Sequence, residues 1–212
     1  EILRCLVGSE MCIRDRNKMM PADDAVSPIQ GDRYPTGYIR RTDAAVSDHD
    51  RVAEKLLHPD ALGMLIPGKD KHFYSSGAFN LIQLIFYILK QTGPAHLFLT
   101  TYSISMDSIA ALRRKMETGE LLSVQFLIDN RVRSISPKPF DYLVTAFPDC
   151  YRCLALHAKV ALLYNEEWKI TVVGSQNATH NPKLERGIIH TGRDIFDFDF
   201  KMLNDEFDAA AT

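Results

Sequence analysis

Hydrophobic and polar positions change their rhythm several times along this chain, and each change predicts an element. The apolar run "FNLIQLIFYILK" (79–90) reads as part of a buried helix over about 77–91, closed near Gly93-Pro94. "HLFLTTYSI" (96–104) is rich in β-branched and aromatic residues and predicts a strand. Ser105 suits an N-cap, and a helix is expected from there to Glu117 or Thr118, with Gly119 just past its end. Its apolar positions Met106, Ile109, Leu112 and Met116 fall on one helical face, and Arg113, Arg114 and Lys115 in its last turns suit the helix dipole. "LLSVQFLID" (121–129) predicts a second strand, and "KPFDYLVTAF" (138–147) a helix stopped by Pro148. Strands are expected next at about 152–164, 168–175 and 186–190, and "DFDFKMLNDEFDAAA" closes the chain as a helix.

Upstream of residue 70 the pattern is weaker. Ser47 stands three before Asp50, a capping-box-like start for a short helix that ends before Pro59, and 61–68 predicts a strand. Residues 17–46 are polar and broken by Pro21, Pro28 and Pro35, so 17–69 is expected to be a loosely structured lead-in. "EILRCLVGSEMCIRDR" (1–16) lacks the charged leader and long apolar region of a signal peptide. It resembles a translated sequencing-adapter peptide of the kind found in assembled metagenomic reading frames, and is set aside as an artefactual leader. Strand, helix, strand, helix and then a run of strands make 70–212 an α/β domain with a mixed β-sheet flanked by helices.

Two strands of this set raise a chemical question. "VALLY" and "ITVV" are apolar on both faces, as strands buried inside a sheet are. They flank the turn Asn165-Glu166-Glu167, so the start of one and the end of the other lie together. His157 and Lys159 stand at that start, two apart and expected on one face. Gly174, Ser175 and Asn177 stand at that end, and Glu185 follows. Singly, each has a bland explanation: a satisfied core histidine, a lysine reaching out from a sheet edge, a common turn composition. Together they suit phosphodiester cleavage. An imidazole attacks phosphorus when another group orients its second ring nitrogen, while Lys and Asn hold the non-bridging oxygens and Ser donates one more hydrogen bond.

His157, Lys159, Gly174, Ser175 and Asn177 resemble the HKD motif of the phospholipase D superfamily. The resemblance extends over roughly 70–207, with only the hairpin specific. It implies a phospholipase D-like domain, a nucleophilic His157 and a downstream acid, Glu185, that orients it. Tyr164 stands where the family pattern has Asp, and the interval from His157 to Gly174 is three residues longer than the common spacing. One motif per chain resembles the single-motif bacterial nucleases, which form one active site from two copies. The resemblance therefore implies a metal-independent nuclease working as a homodimer, with DNA as the expected substrate and no cofactor. A catalytically silent phosphate- or nucleic-acid-binding module, and a phospholipid phosphodiesterase, stay open as alternatives.

Composition adjusts this only slightly. The 212 residues are 46% hydrophobic and 25% charged with net charge -2, so there is no overall basic signature and nucleic-acid binding rests on a local patch. Cys150 and Cys153 have CxxC spacing without a second pair or a nearby His, so with Cys5 and Cys12 they are expected as reduced thiols. No apolar run reaches the roughly 20 residues of a membrane span, which makes the cytoplasm the expected location and a membrane no expected partner.

Overall fold

The computed structural model describes residues 52–210, together with two short backbone pairings at 38–39 and 44–45. The leader 1–16, most of 17–51 and the predicted start of the first helix at Ser47 lie outside the described residues. In chain order the elements are β1 (Tyr38–Ile39), β2 (Ala44–Ala45), α1 (Val52–Leu57), β3 (Lys71–Ser76), α2 (Leu81–Thr92), β4 (Ala95–Thr101), α3 (Met106–Glu117) and β5 (Leu121–Asp129). They continue with α4 (Val132–Ile135), α5 (Pro137–Ala146), β6 (Tyr151–Leu154), β7 (Val160–Tyr164), β8 (Lys169–Gly174), β9 (Leu184–His190) and α6 (Arg193–Ala209).

One mixed sheet carries all the described strands in the order β2-β1-β3-β9-β8-β7-β4-β5-β6. β4, β5 and β6 run parallel, while every neighbouring pair from β4 back to β2 is antiparallel. The β7–β8 hairpin therefore sits in the middle of the sheet, as its doubly apolar sequence requires. Alternate residues of the central strands serve two cores. Leu97, Leu99, Phe126, Ile128, Ala161 and Leu163 pack with Leu84, Ile88, Ile109 and Leu112 of α2 and α3. Phe98, Leu127 and Leu162 point the other way, onto Phe196 and Phe207 of α6. The mixed sheet flanked by helices is thus a three-layer arrangement.

Helix starts follow local chemistry. Asn80 and Gln83 form a reciprocal capping box at α2, and Ser105 accepts the Ser108 N–H to cap α3. Four expectations change. Residues 61–68 form turns and coil rather than a strand. Residues 71–76, for which the sequence pattern predicts no element, form β3. Val132–Ile135 form a short helix. The single strand expected over 152–164 is two strands in different parts of the sheet, β6 at its edge and β7 at its centre, with 155–159 crossing between them.

Candidate active site

Strand direction brings the polar residues to one rim. β7 is antiparallel to both β4 and β8, with Val160 opposite Thr100 on one side and Val173 on the other. β9 is antiparallel to β3, with Glu185 opposite Ser75. The start of β7, the end of β8, the start of β9 and the carboxyl ends of β3, β4 and β5 therefore share an edge. In open α/β sheets that is where ligands bind, because the chain leaves the strands there in divergent loops.

Of the expected residues, Glu185 and Lys159 are buried, at 7% and 8% exposed. Lys159 Nζ donates to the His157 carbonyl oxygen at 2.7 Å, and Lys159 is also shifted in its titration. Burial pushes its pKa below the ordinary lysine value, while the negative charges of Glu185 and Asp129 pull it back up. His157 and Lys159 precede β7 rather than belonging to it, so strand parity does not govern them. Lys159 turns inward and His157 outward, where the exposed imidazole stands edge-on to Tyr102 with centroids 5.3 Å apart.

Ser175 and Glu185 meet. The Ser175 hydroxyl donates to Glu185 Oε2 and accepts the Arg186 N–H at 3.0 Å. Asn181 Nδ2 donates to Glu185 Oε1 at 2.7 Å. Among the described residues Glu185 thus serves Ser175 and Asn181, and the hydrogen bond to His157 expected of an orienting acid is not formed. Asn177 accepts the Leu81 N–H at its carbonyl at 3.4 Å. Its side-chain oxygen is buried with no hydrogen-bond partner among the described residues, a group that an incoming donor would satisfy.

The loop after β8 is held firmly. Gln176 donates to Ser75 Oγ at 2.9 Å and to the Phe79 carbonyl at 3.3 Å. The Ala178 carbonyl accepts the Ser105 N–H at 3.1 Å and the Ser108 hydroxyl at 2.8 Å, and its N–H donates to Thr101 Oγ1. The starts of α2 and α3 thereby fix the loop carrying Ser175 and Asn177. Gly174 fits closely at its base: a Cβ there would stand 3.0 Å from the Arg186 carbonyl oxygen, so the β9 backbone would have to give slightly.

Three residues of the rim escaped the sequence reading. Asp129 ends β5, is 2% exposed, and accepts the Arg131 N–H and Nε at 3.0 and 2.8 Å and the Leu156 N–H at 3.2 Å. The side-chain bond from Arg131 does most to hold its pKa down at about 2. The Arg131 guanidinium lies 4.8 Å from the Tyr102 centroid, and Lys159 Nζ lies 5.7 Å from it. A polar residue closing an apolar strand, as Asp129 closes "LLSVQFLID", was the available signal.

Tyr164, at the position of the family's Asp, is remote from this chemistry. It sits at the far end of β7, about 16 Å along the strand from Lys159. There it stacks on His96 and meets Phe196 and Phe200. Two cavities flank the loops. One of about 420 Å³ is lined by Asp129, Asn130, Arg131, Ala155, Leu156 and His157. The other, of about 610 Å³, lies over the starts of α2 and α3 and includes His180, so His180 and His157 open onto different cavities. No helix among the described residues is long and apolar enough to cross a membrane.

No protein-family model matches the chain, and no curated protein matches it either. Solved structures do. Nuc from Salmonella typhimurium, a phospholipase D family member, superposes with a TM-score of 0.50 at 16% identity, over 66% of this chain and 94% of Nuc. Polyphosphate kinase from Porphyromonas gingivalis superposes with a TM-score of 0.51 at 16% identity, over 71% of this chain but only 28% of the kinase. The fold expected from the hairpin motif is therefore the fold observed, that of a phospholipase D-like domain.

Proposed function

We propose that this phospholipase D-like domain is a phosphodiesterase that cleaves nucleic acid, DNA foremost, through a phosphohistidine at His157 and without a metal ion. The observation that carries the reading is Lys159: a buried ammonium bonded to the backbone carbonyl of the exposed His157, within the field of the Glu185 and Asp129 carboxylates. A buried cation beside a nucleophile stabilises a pentacoordinate phosphorane, whose charge exceeds that of the ground-state diester. Ser175 and Asn177 sit on a fixed loop at the same rim; the Asn177 amide suits a non-bridging oxygen, and the Ser175 hydroxyl, which donates to Glu185, would turn to another as His157 takes that carboxylate.

In the proposed reaction a ring nitrogen of His157 attacks phosphorus and the P–O bond to the leaving alkoxide breaks. An acid protonates that alkoxide. Water then attacks the phosphohistidine, and the same acid, now a base, takes its proton. The acid is His157 of a second copy. Glu185 contributes by turning the attacking imidazole, which requires His157 to swing from Tyr102 toward the carboxylate once substrate enters.

The test is hydrolysis of plasmid DNA and of bis(p-nitrophenyl) phosphate in EDTA. The wild type is expected to cleave both, and His157→Ala to lose at least about 10³-fold, with phosphohistidine trapped only in the wild type. Strict dependence on added magnesium, or full activity in His157→Ala, would reject the proposal. The position of Glu185, bonded to Ser175 and Asn181, favours one second reading: a silent module that binds a phosphate through Lys159 and Asn177. DNA binding without turnover in the wild type would select it.

A further inference from the structure

Tyr102 and Arg131 have no part in the chemistry above, yet they are arranged with unusual economy. Three polar side chains converge on the Tyr102 ring: the His157 imidazole at 5.3 Å, the Arg131 guanidinium at 4.8 Å and Lys159 Nζ at 5.7 Å. Arg131 is clamped as well as stacked. Asp129 receives Nε at 2.8 Å and Nη2 at 3.3 Å, and Asp129 is itself buried and fixed by the backbone of Arg131 and Leu156. A guanidinium has five N–H donors. That carboxylate leaves both on Nη1 unused, and the side chain is 61% exposed beside the cavity of about 420 Å³ that also holds His157. An arginine held by a buried carboxylate on one side and an aromatic face on another is pre-organised, so it loses little freedom when it meets an anion.

We propose that Arg131, positioned by Asp129 and Tyr102, binds the phosphate adjacent to the scissile one in a nucleic-acid strand. The inference rests on the phosphodiesterase reading and adds a substrate requirement: more than one phosphodiester in a row. In that reading Lys159 serves the reacting phosphate from below the rim, so a fixed guanidinium on the same cavity as His157 is suited to a second anion. A strand supplies one at every residue, whereas an isolated diester does not. With Arg131 covering Tyr102, that ring supports the guanidinium rather than stacking on a base. This subsite reads backbone charge and gives no base preference.

Binding and turnover test it separately. A fluorescein-labelled single-stranded oligonucleotide is titrated with wild type, Arg131→Gln, the double variant Asp129→Asn/Arg131→Gln and the control Arg113→Gln, in EDTA at several salt concentrations. Arg113 is on α3, paired with Glu117 away from the rim. Loss of Arg131 is expected to weaken binding about tenfold and to reduce the slope of log K against log salt by about 0.7, with Arg113→Gln unchanged. The double variant removes the buried carboxylate with its partner, so it separates a lost contact from a folding defect and is expected to show the same loss. In turnover, KM for the oligonucleotide should rise at least fivefold more than KM for bis(p-nitrophenyl) phosphate. Equal losses on both substrates would mean that Arg131 only positions His157, and would overturn the inference, as would unchanged affinity and slope. If the wild type cleaves no diester, the catalytic proposal fails, and the binding series still decides Arg131. Binding to phosphatidylglycerol vesicles but not to the oligonucleotide would overturn the nucleic-acid assignment.

Discussion

Lys159 and Asp129 show how single residues set the working pH range. The Asp129 carboxyl is held at about 2 against an ordinary value of 3.8, so the native state binds its proton less readily than the unfolded chain does. Its contribution to stability is complete above the unfolded value and is lost as pH falls from about 4 toward 2. Urea midpoints measured from pH 5 to pH 2 should therefore drop steeply in the wild type and less steeply in Asp129→Asn; an equal drop in both would refute this. Lys159 is shifted down by burial, so protonated Lys159 is lost at lower pH than an ordinary lysine would be. An alkaline limb in kcat/KM below the usual lysine range is expected, moved upward by Lys159→Arg, because guanidinium stays protonated. A limb that does not respond to Lys159→Arg belongs to another group. Tyr164 also belongs at this scale. It lies at the aromatic end of β7, about 16 Å along the strand from Lys159, away from the rim residues.

Elements were legible where their residues speak alike. The β7–β8 hairpin is apolar on both faces because both faces are covered, and the cap Ser105 marks the start of its helix, whereas the cap Asn80 went unread and α2 starts at Leu81 rather than near 77. β3 was not legible, because its inward residues are Phe73 and Ser75, and a buried serine held by Gln176 breaks the apolar alternation. The break at 155–159 was hidden for the opposite reason: "LALHAKVALL" keeps an apolar tone across a turn between two strands. That concealed the inward Lys159 and outward His157, whereas the shared edge of the start of β7 and the end of β8 follows from strand direction rather than from parity. The same pairing explains Gly187. It sits in β9 opposite Phe73, and a Cβ there would come within 2.8 and 2.9 Å of two ring carbons of that buried phenylalanine. Gly187→Ala is expected to destabilise by about 1–3 kcal/mol, read by urea unfolding. Phe73→Leu in the same chain should recover part of the loss by removing the ring. A neutral Gly187→Ala would mean that β3 and β9 are not packed this closely.

At the scale of the whole molecule the question is whether one chain suffices. A phosphohistidine route needs an acid opposite the nucleophile, since an alkoxide leaves poorly unprotonated. Within the described chain the nearest candidate in sequence is His180, but it opens onto the cavity over α2 and α3, while His157 opens onto the one beside Arg131. His72 and His190 are engaged elsewhere, with Arg186 and Asp70. An outward-facing His157 at the rim is well placed to meet its own copy, and a twofold axis through the site would give each imidazole the other as its acid. A homodimer is therefore the expected active species. Light scattering should give twice the chain mass at working concentration, and specific activity should fall on dilution along the same curve as the mass. His180→Ala is expected to retain activity within about threefold, as a surface substitution outside the site does. A strictly monomeric protein with constant specific activity on dilution would defeat the dimer, and loss of that activity in His180→Ala would assign the acid to the same chain.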